Sequence, residues 1–168
     1  MKAIAAVFFL LASTGIHAQS LWKESRVGMT VQDVQSAFPE AHAPADPQKL
    51  HDGSGERLEL DGVDLVSQKF KALFYFRGEG LSQVTLKLQD EASAKAAELV
   101  YDRVSVALRS KYGAEVEHSE KHGMMEMRAA TWMSGPTNIS VLYNAIGNSD
   151  PLLNINYQVR ISSDARNL

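Results

Sequence analysis

The sequence predicts an α+β fold made of two helix-plus-antiparallel-sheet units, with the helices packed on antiparallel sheet. Three observations predict it. Two helix-period patterns, one near the start and one in the middle, are each followed by runs in which apolar and polar residues alternate. Two pairs of those runs close over short turns, Arg77-Gly78-Glu79-Gly80 and Ser134-Gly135-Pro136-Thr137. The hairpins also echo one another, Lys71-Ala72 with an aromatic at Tyr75 and Arg128-Ala129 with an aromatic at Trp132, which suggests a tandem repeat with subunits 19–89 and 90–168. Hairpins of similar composition can look alike without duplication.

Residues 1–18 read as a cleavable signal peptide: Lys2, an apolar run through Ala12, and Ile16-His17-Ala18 ahead of Gln19. That run falls short of the roughly 20 apolar residues a membrane-spanning helix requires. The expectation is a single exported domain over 19–168, periplasmic or secreted. Its first helix is signalled by Thr30 as N-cap, Asp33 completing a capping box, Met29 and Val34 as a hydrophobic staple, and Pro39 as the stop. Val31, Val34, Ala37 and Phe38 form its apolar face.

A long loop follows from Glu40 to Arg57, carrying Pro44, Pro47, Gly53 and Gly55. Leu58–Leu65 reads as a strand or a loose extended segment, and Phe70–Phe76 and Leu81–Leu88 read as a hairpin. Val84, Leu86 and Leu88 alternate with Thr85 and Lys87, so one face of that hairpin is expected to be wet. The second helix runs from after Asp90 through Tyr112, with Gly113 as terminator and Ala97, Val100, Val104, Ala107 and Leu108 along one side. Glu126–Met133 and Asn138–Asn144 form the second predicted hairpin, and Leu152–Ile161 the last strand.

The 168 residues include no cysteine, which excludes disulfides, thiolate metal sites, a cysteine nucleophile and a lipid-bearing cysteine. A domain of this size holds together by packing alone. The formal net charge is −3, one unit more negative once Lys2 leaves with the leader, and the basic residues are scattered singly. Nucleic acid is therefore not an expected partner.

The stretch Arg26-Val27-Gly28-Met29-Thr30-Val31-Gln32-Asp33-Val34-Gln35-Ser36-Ala37-Phe38-Pro39 resembles the opening helix motif of the SmpA/OmlA, or BamE-like, family of small outer-membrane lipoproteins. The resemblance implies a β-lactamase-inhibitory-protein-like architecture, a helix on an antiparallel sheet in a unit that can occur twice. The chain lacks the family's lipid-bearing cysteine, so neither a lipid anchor nor a transmembrane segment is expected. The motif has a structural reason as well: glycine turns the chain, Met29 staples, Thr30 caps and Pro39 releases the chain toward the sheet.

Ligand chemistry is concentrated in one stretch, where His118, His122, Met124, Met125 and Met127 offer imidazole and thioether donors suited to copper. Methionines filling an irregular core beside exposed histidines are the first expectation for it. Nucleophile elbows, His-Glu-x-x-His pairs and phosphate loops are missing from the sequence. His51-Asp52, or the carboxylate pair Glu59 and Asp61, has the chemistry for acid/base work, yet alternate carboxylates on a strand more often form a solvated face. Asp61-Gly62-Val63-Asp64 lacks the oxygen ladder of a calcium loop.

Trp22, Trp132, Tyr75 and Tyr143 could make contacts, a core position being the first expectation for each. The reading is an exported, non-enzymatic protein without cofactor that binds another exported or envelope protein. The partner contacts it names are His42, His51, Asp52, Tyr75 and Trp132, drawn from the long loop and the aromatics. The alternative is a periplasmic copper-binding protein using the histidines and methionines of 118–127.

Overall fold

The computed structural model describes residues 19–89, 93–147 and 149–159. The predicted leader, and Arg160 and Ile161 at the end of the predicted last strand, lie outside the described residues. The elements are α1 (Val31–Ala37), β1 (Gly55–Leu65), β2 (Gln68–Arg77), β3 (Gly80–Leu88), α2 (Ala94–Tyr112), β4 (Glu117–Lys121), β5 (Met125–Ser134), β6 (Thr137–Ile146) and β7 (Leu152–Val159). The strands form one seven-stranded sheet in the order β1-β2-β3-β7-β6-β5-β4, antiparallel at every pairing.

This corrects the expectation of two helix-plus-sheet units. Strand β7 pairs with β3 on one side, from Gln83↔Gln158 to Lys87↔Asn154, and with β6 on the other, so the last strand welds the two hairpins into a single sheet. One cluster of buried residues runs beneath it, from Leu21 and Phe38 through Phe74 and Leu86 to Trp132 and Tyr157. The echo between the hairpins also fails on geometry. Ala72 faces the core while Ala129 lies on the other side of the sheet, and Tyr75 and Trp132 are reversed in the same way. Because side chains alternate with a period of two, a match in spacing that puts equivalent residues on opposite faces is not a structural repeat.

Local chemistry explains each helix. Thr30 and Asp33 make the reciprocal capping box, the Asp33 N–H donating to Thr30 Oγ1 at 3.2 Å and the Thr30 N–H to Asp33 Oδ2 at 2.9 Å. Ahead of it, Gly28 sits at φ 82°, its N–H donating to the Leu81 carbonyl while the Leu81 N–H donates to that of Met29. A Cβ on Gly80 would meet Gly28 Cα at 3.2 Å, so the two glycines let the entry to α1 lie directly on the start of β3. Trp22 stacks on Phe38, which packs against Phe74, and this trio seats the amino-terminal segment on the β2 side of the sheet.

Ser93 caps α2 and Gly113, at φ 87°, ends it. Buried Ala97, Val100, Tyr101, Val104, Ser105 and Leu108 face β5, β6 and β7, whereas predicted Ala107 is exposed. Both ends of α2 are pinned by the sheet: Tyr143 Oη donates to the Ala94 carbonyl at 3.0 Å, and Trp132 Nε1 to that of Gly113 at 3.1 Å. All helix packing is therefore on one face, and no helix among the described residues is long and apolar enough to cross a membrane.

Candidate functional site

On the face away from the helices, the two halves of the sheet are treated differently. Strand β2 turns Lys71, Leu73, Tyr75 and Arg77 to this outer side, opposite Ala72, Phe74 and Phe76 of the core. Leu73 and Tyr75 are buried all the same. They are covered because the segment from His42 to Ser54 folds back over β1 and β2. Asp52 pairs with Arg77, the Ser82 hydroxyl donates to Ser54 Oγ at 3.1 Å, and the Gln48 N–H donates to Glu56 Oε2 at 3.1 Å. Burial, aided by the Glu56 charge, pushes the Tyr75 phenol up to about 12, and burial also lifts the Glu56 carboxyl above its ordinary range.

At one end of this cover lies an ion network. His42 is tied to β1 by backbone hydrogen bonds with Glu59 in both directions, at 2.9 and 2.8 Å. Beyond Glu59, a register shift between Leu60 and Val63, with Gly62 at φ 70°, bulges the strand at Asp61. His42 Nε2 then stands 3.1 Å from Asp61 Oδ2, and its Nδ1 3.1 Å from the Ala43 carbonyl oxygen. Both ring nitrogens face acceptors, so the imidazolium is favoured, and the hydrogen bond to Ala43 followed by that to Asp61 raises the His42 pKa.

Those side chains have the composition of a cation site, since His42, Glu59 and Asp61 bring ligand atoms within 4.8 Å of one another. The Lys71 ammonium, however, stands 3.1 Å from Glu59 Oε2 and 3.2 Å from Asp61 Oδ1. The carboxylates thus already face an internal cation, and the ion pairs together with the backbone bridge tie the loop to β1 as a latch. Beside it is a cleft of about 450 Å³ lined by Asp46, Gln48, Glu56, Lys71, Leu73 and Lys87.

Among the described residues, no segment covers the other half of the outer face. Its outward positions are Met125, Met127, Ala129, Thr131 and Met133 on β5, Asn138, Ser140, Leu142, Asn144 and Ile146 on β6, and Leu152, Asn154, Asn156 and Gln158 on β7. None carries an ionisable side chain. Met127 (41%), Leu142 (39%), Ile146 (48%) and Leu152 (40%) are exposed large apolar residues gathered at one end of this field. Toward the other end the side chains are amides and hydroxyls in a lateral chain. Gln83 donates to Thr85 Oγ1 at 2.9 Å, Thr85 to Asn156 Oδ1 at 2.9 Å, and Asn156 to Ser140 Oγ at 3.4 Å.

Of the contacts named from sequence, His42, His51 and Asp52 lie on or beside the covering segment, with His42 and Asp52 held in ion pairs. Tyr75 is buried beneath that segment and Trp132 is fully buried against α2, so neither offers a surface to a partner. Of the residues named for copper, His118 lies on the opposite face of the sheet from Met125 and Met127, and His122 and Met124 lie in the turn between β4 and β5. His118 pairs in register with buried Ala130 on the helix face, while Met125 and Met127 alternate to the outer face and exposed Met124 sits in the turn before β5. His122 faces Glu126 at 2.9 Å, and its pKa is raised by that hydrogen bond. Both imidazoles thus have carboxylate neighbours, His118 at Glu120 and His122 at Glu126.

Sequence reasoning missed the neutral outer field. Its signal was legible once the strands were placed: every outward position from Met125 to Gln158 on β5, β6 and β7 is apolar, amide or hydroxyl in a chain that is 22% charged. No family model, no curated protein and no solved structure matches the chain.

Proposed function

We propose that this chain is an exported, non-enzymatic domain that binds another protein through the open outer face of β5, β6 and β7. One observation carries the reading: a solvent-facing sheet surface without a single ionisable side chain, apolar at one end and amide-rich at the other. Solvated faces of antiparallel sheets normally alternate apolar-in with charged or polar-out. The centres of protein interfaces, by contrast, are depleted of charge and enriched in methionine. The helix layer and the covering loop leave this field as the accessible part of the sheet. Export rests on the leader at residues 1–18, and periplasmic or secreted placement follows from it.

The test is a pair of lysine substitutions in the exported chain, Leu142→Lys in the centre of the field and Val106→Lys on the exposed side of α2, compared in saturable binding to an extract of the native envelope. Leu142→Lys abolishes saturable binding and Val106→Lys preserves it. Equal binding by both variants would remove the outer face from the interaction.

A further inference from the structure

The geometry points to a second copy of this chain as the occupant of the open face, packed about a two-fold axis that runs along β6. The inference rests on the reading of that face as an interface and adds the partner. A closed two-fold contact must be complementary to itself, each patch meeting its own image. Charged faces resist this, because like charges are brought onto one another. The field on β5, β6 and β7 carries none, although the chain as a whole is net negative.

The pattern along the strands selects the axis. Register places Met125 beside Ile146, and Met127 beside Asn144 and Leu152, at the apolar end. Ala129, Leu142 and Asn154 share the next row, Thr131, Ser140 and Asn156 the one after, and Met133, Asn138 and Gln158 the last. A two-fold axis parallel to the strands leaves position along the strand unchanged while exchanging β5 with β7. It therefore lays the apolar rows of one copy on those of the other, and amide rows on amide rows. An axis across the strands would put methionine and isoleucine over amides.

Strand β6 is the middle of the field, so this axis maps the whole field onto itself. Its borders are charged on both sides, at Lys87 on β3 and at Glu117 and Lys121 on β4, and the same operation brings β3 of one copy toward β4 of the other. Lys87 of one copy then lies level with Ser119 of the other, midway between Glu117 and Lys121, on the solvated rim. The product is a two-sheet sandwich with aligned strands and sheets roughly 10 Å apart. The lateral chain already pairs Gln83, Thr85, Asn156 and Ser140 with one another, which lowers the cost of covering those four, while the Asn138 and Asn154 side-chain carbonyls have no partner among the described residues.

Symmetry makes the test specific, because the chain contains no cysteine and single thiols can be introduced cleanly. The exported chain is examined by sedimentation over a concentration series, alone and as Leu142→Lys and Val106→Lys. Asn156→Cys and Thr131→Cys variants are then treated with a short bis-maleimide, singly and mixed. The inference predicts a concentration-dependent dimer weakened by at least about tenfold in Leu142→Lys and unchanged in Val106→Lys. It also predicts a cross-link between Asn156→Cys and Thr131→Cys chains that exceeds either self-link.

A monomer at every soluble concentration, or a dimer indifferent to Leu142→Lys, overturns the second copy as occupant. If Leu142→Lys still abolishes binding to the envelope extract in that case, the face remains a surface for a different protein. If it does not, both readings fall together.

Discussion

Gly28 shows how much of the amino-terminal motif is backbone geometry. Its φ of 82° lies in the left-handed region, and its N–H is committed to the Leu81 carbonyl. Gly28→Ala should cost about 1–2 kcal/mol of folding stability in urea denaturation, since a side chain is strained there whatever space surrounds it. His42 gives a second residue-level expectation. Its protonated form is favoured by the Ala43 carbonyl and by Asp61, so its contribution to the latch is present below about pH 6.5 and lost as pH rises through the elevated folded value. NMR titration should place His42 above an ordinary histidine, and Asp61→Asn should lower it. No change on Asp61→Asn would show that the His42–Asp61 pair is not formed in solution.

At the scale of elements, Arg128 on β5 gathers four partners, with Asp102 at 2.8 Å and Glu98 at 3.7 Å on α2, Glu120 at 3.0 Å on β4, and the Tyr101 ring 4.5 Å from its guanidinium. It joins α2, β5 and the edge strand β4. Arg128→Ala should cost about 2 kcal/mol and release β4 first, which hydrogen exchange on residues 117–121 would register as loss of protection. Strand β4 is also the element that the sequence hid. Glu117-His118-Ser119-Glu120-Lys121 has no apolar residue, because an exposed edge strand needs none and is protected by its charges.

Elements with an apolar period, α1, α2 and the β2–β3 and β5–β6 hairpins, were legible within a few residues, as were the caps at Thr30 and Gly113. What periodicity could not supply was which hairpin neighbours which. The β3–β7 pairing is a contact between distant parts of the chain, and without it the two hairpins read as two units. The latch was legible in its parts, with His42 and the Glu59–Asp61 pair both noticed, but the bridge that unites them spans seventeen positions, twelve of them irregular chain ahead of β1. Trp132 was read by residue type, and the sheet register assigns it to the core.

For the whole molecule, the distribution of cover is the main fact. Helices occupy one face of the sheet, a latched loop occupies half of the other, and the remaining half is neutral and open. Since Leu142 is already exposed in the folded chain, Leu142→Lys should leave stability within about 0.5 kcal/mol while changing what the chain binds. That separation between stability and binding distinguishes an interface from a core. The most direct measurement is site-specific photo-cross-linking in the native cell, with the reactive residue placed at Leu142, Ser140 or Asn156 on the outer face and at Val106 on α2. The account predicts protein adducts at the three face positions and none at Val106. Equal yields at all four positions, or adducts at Val106 alone, would contradict it.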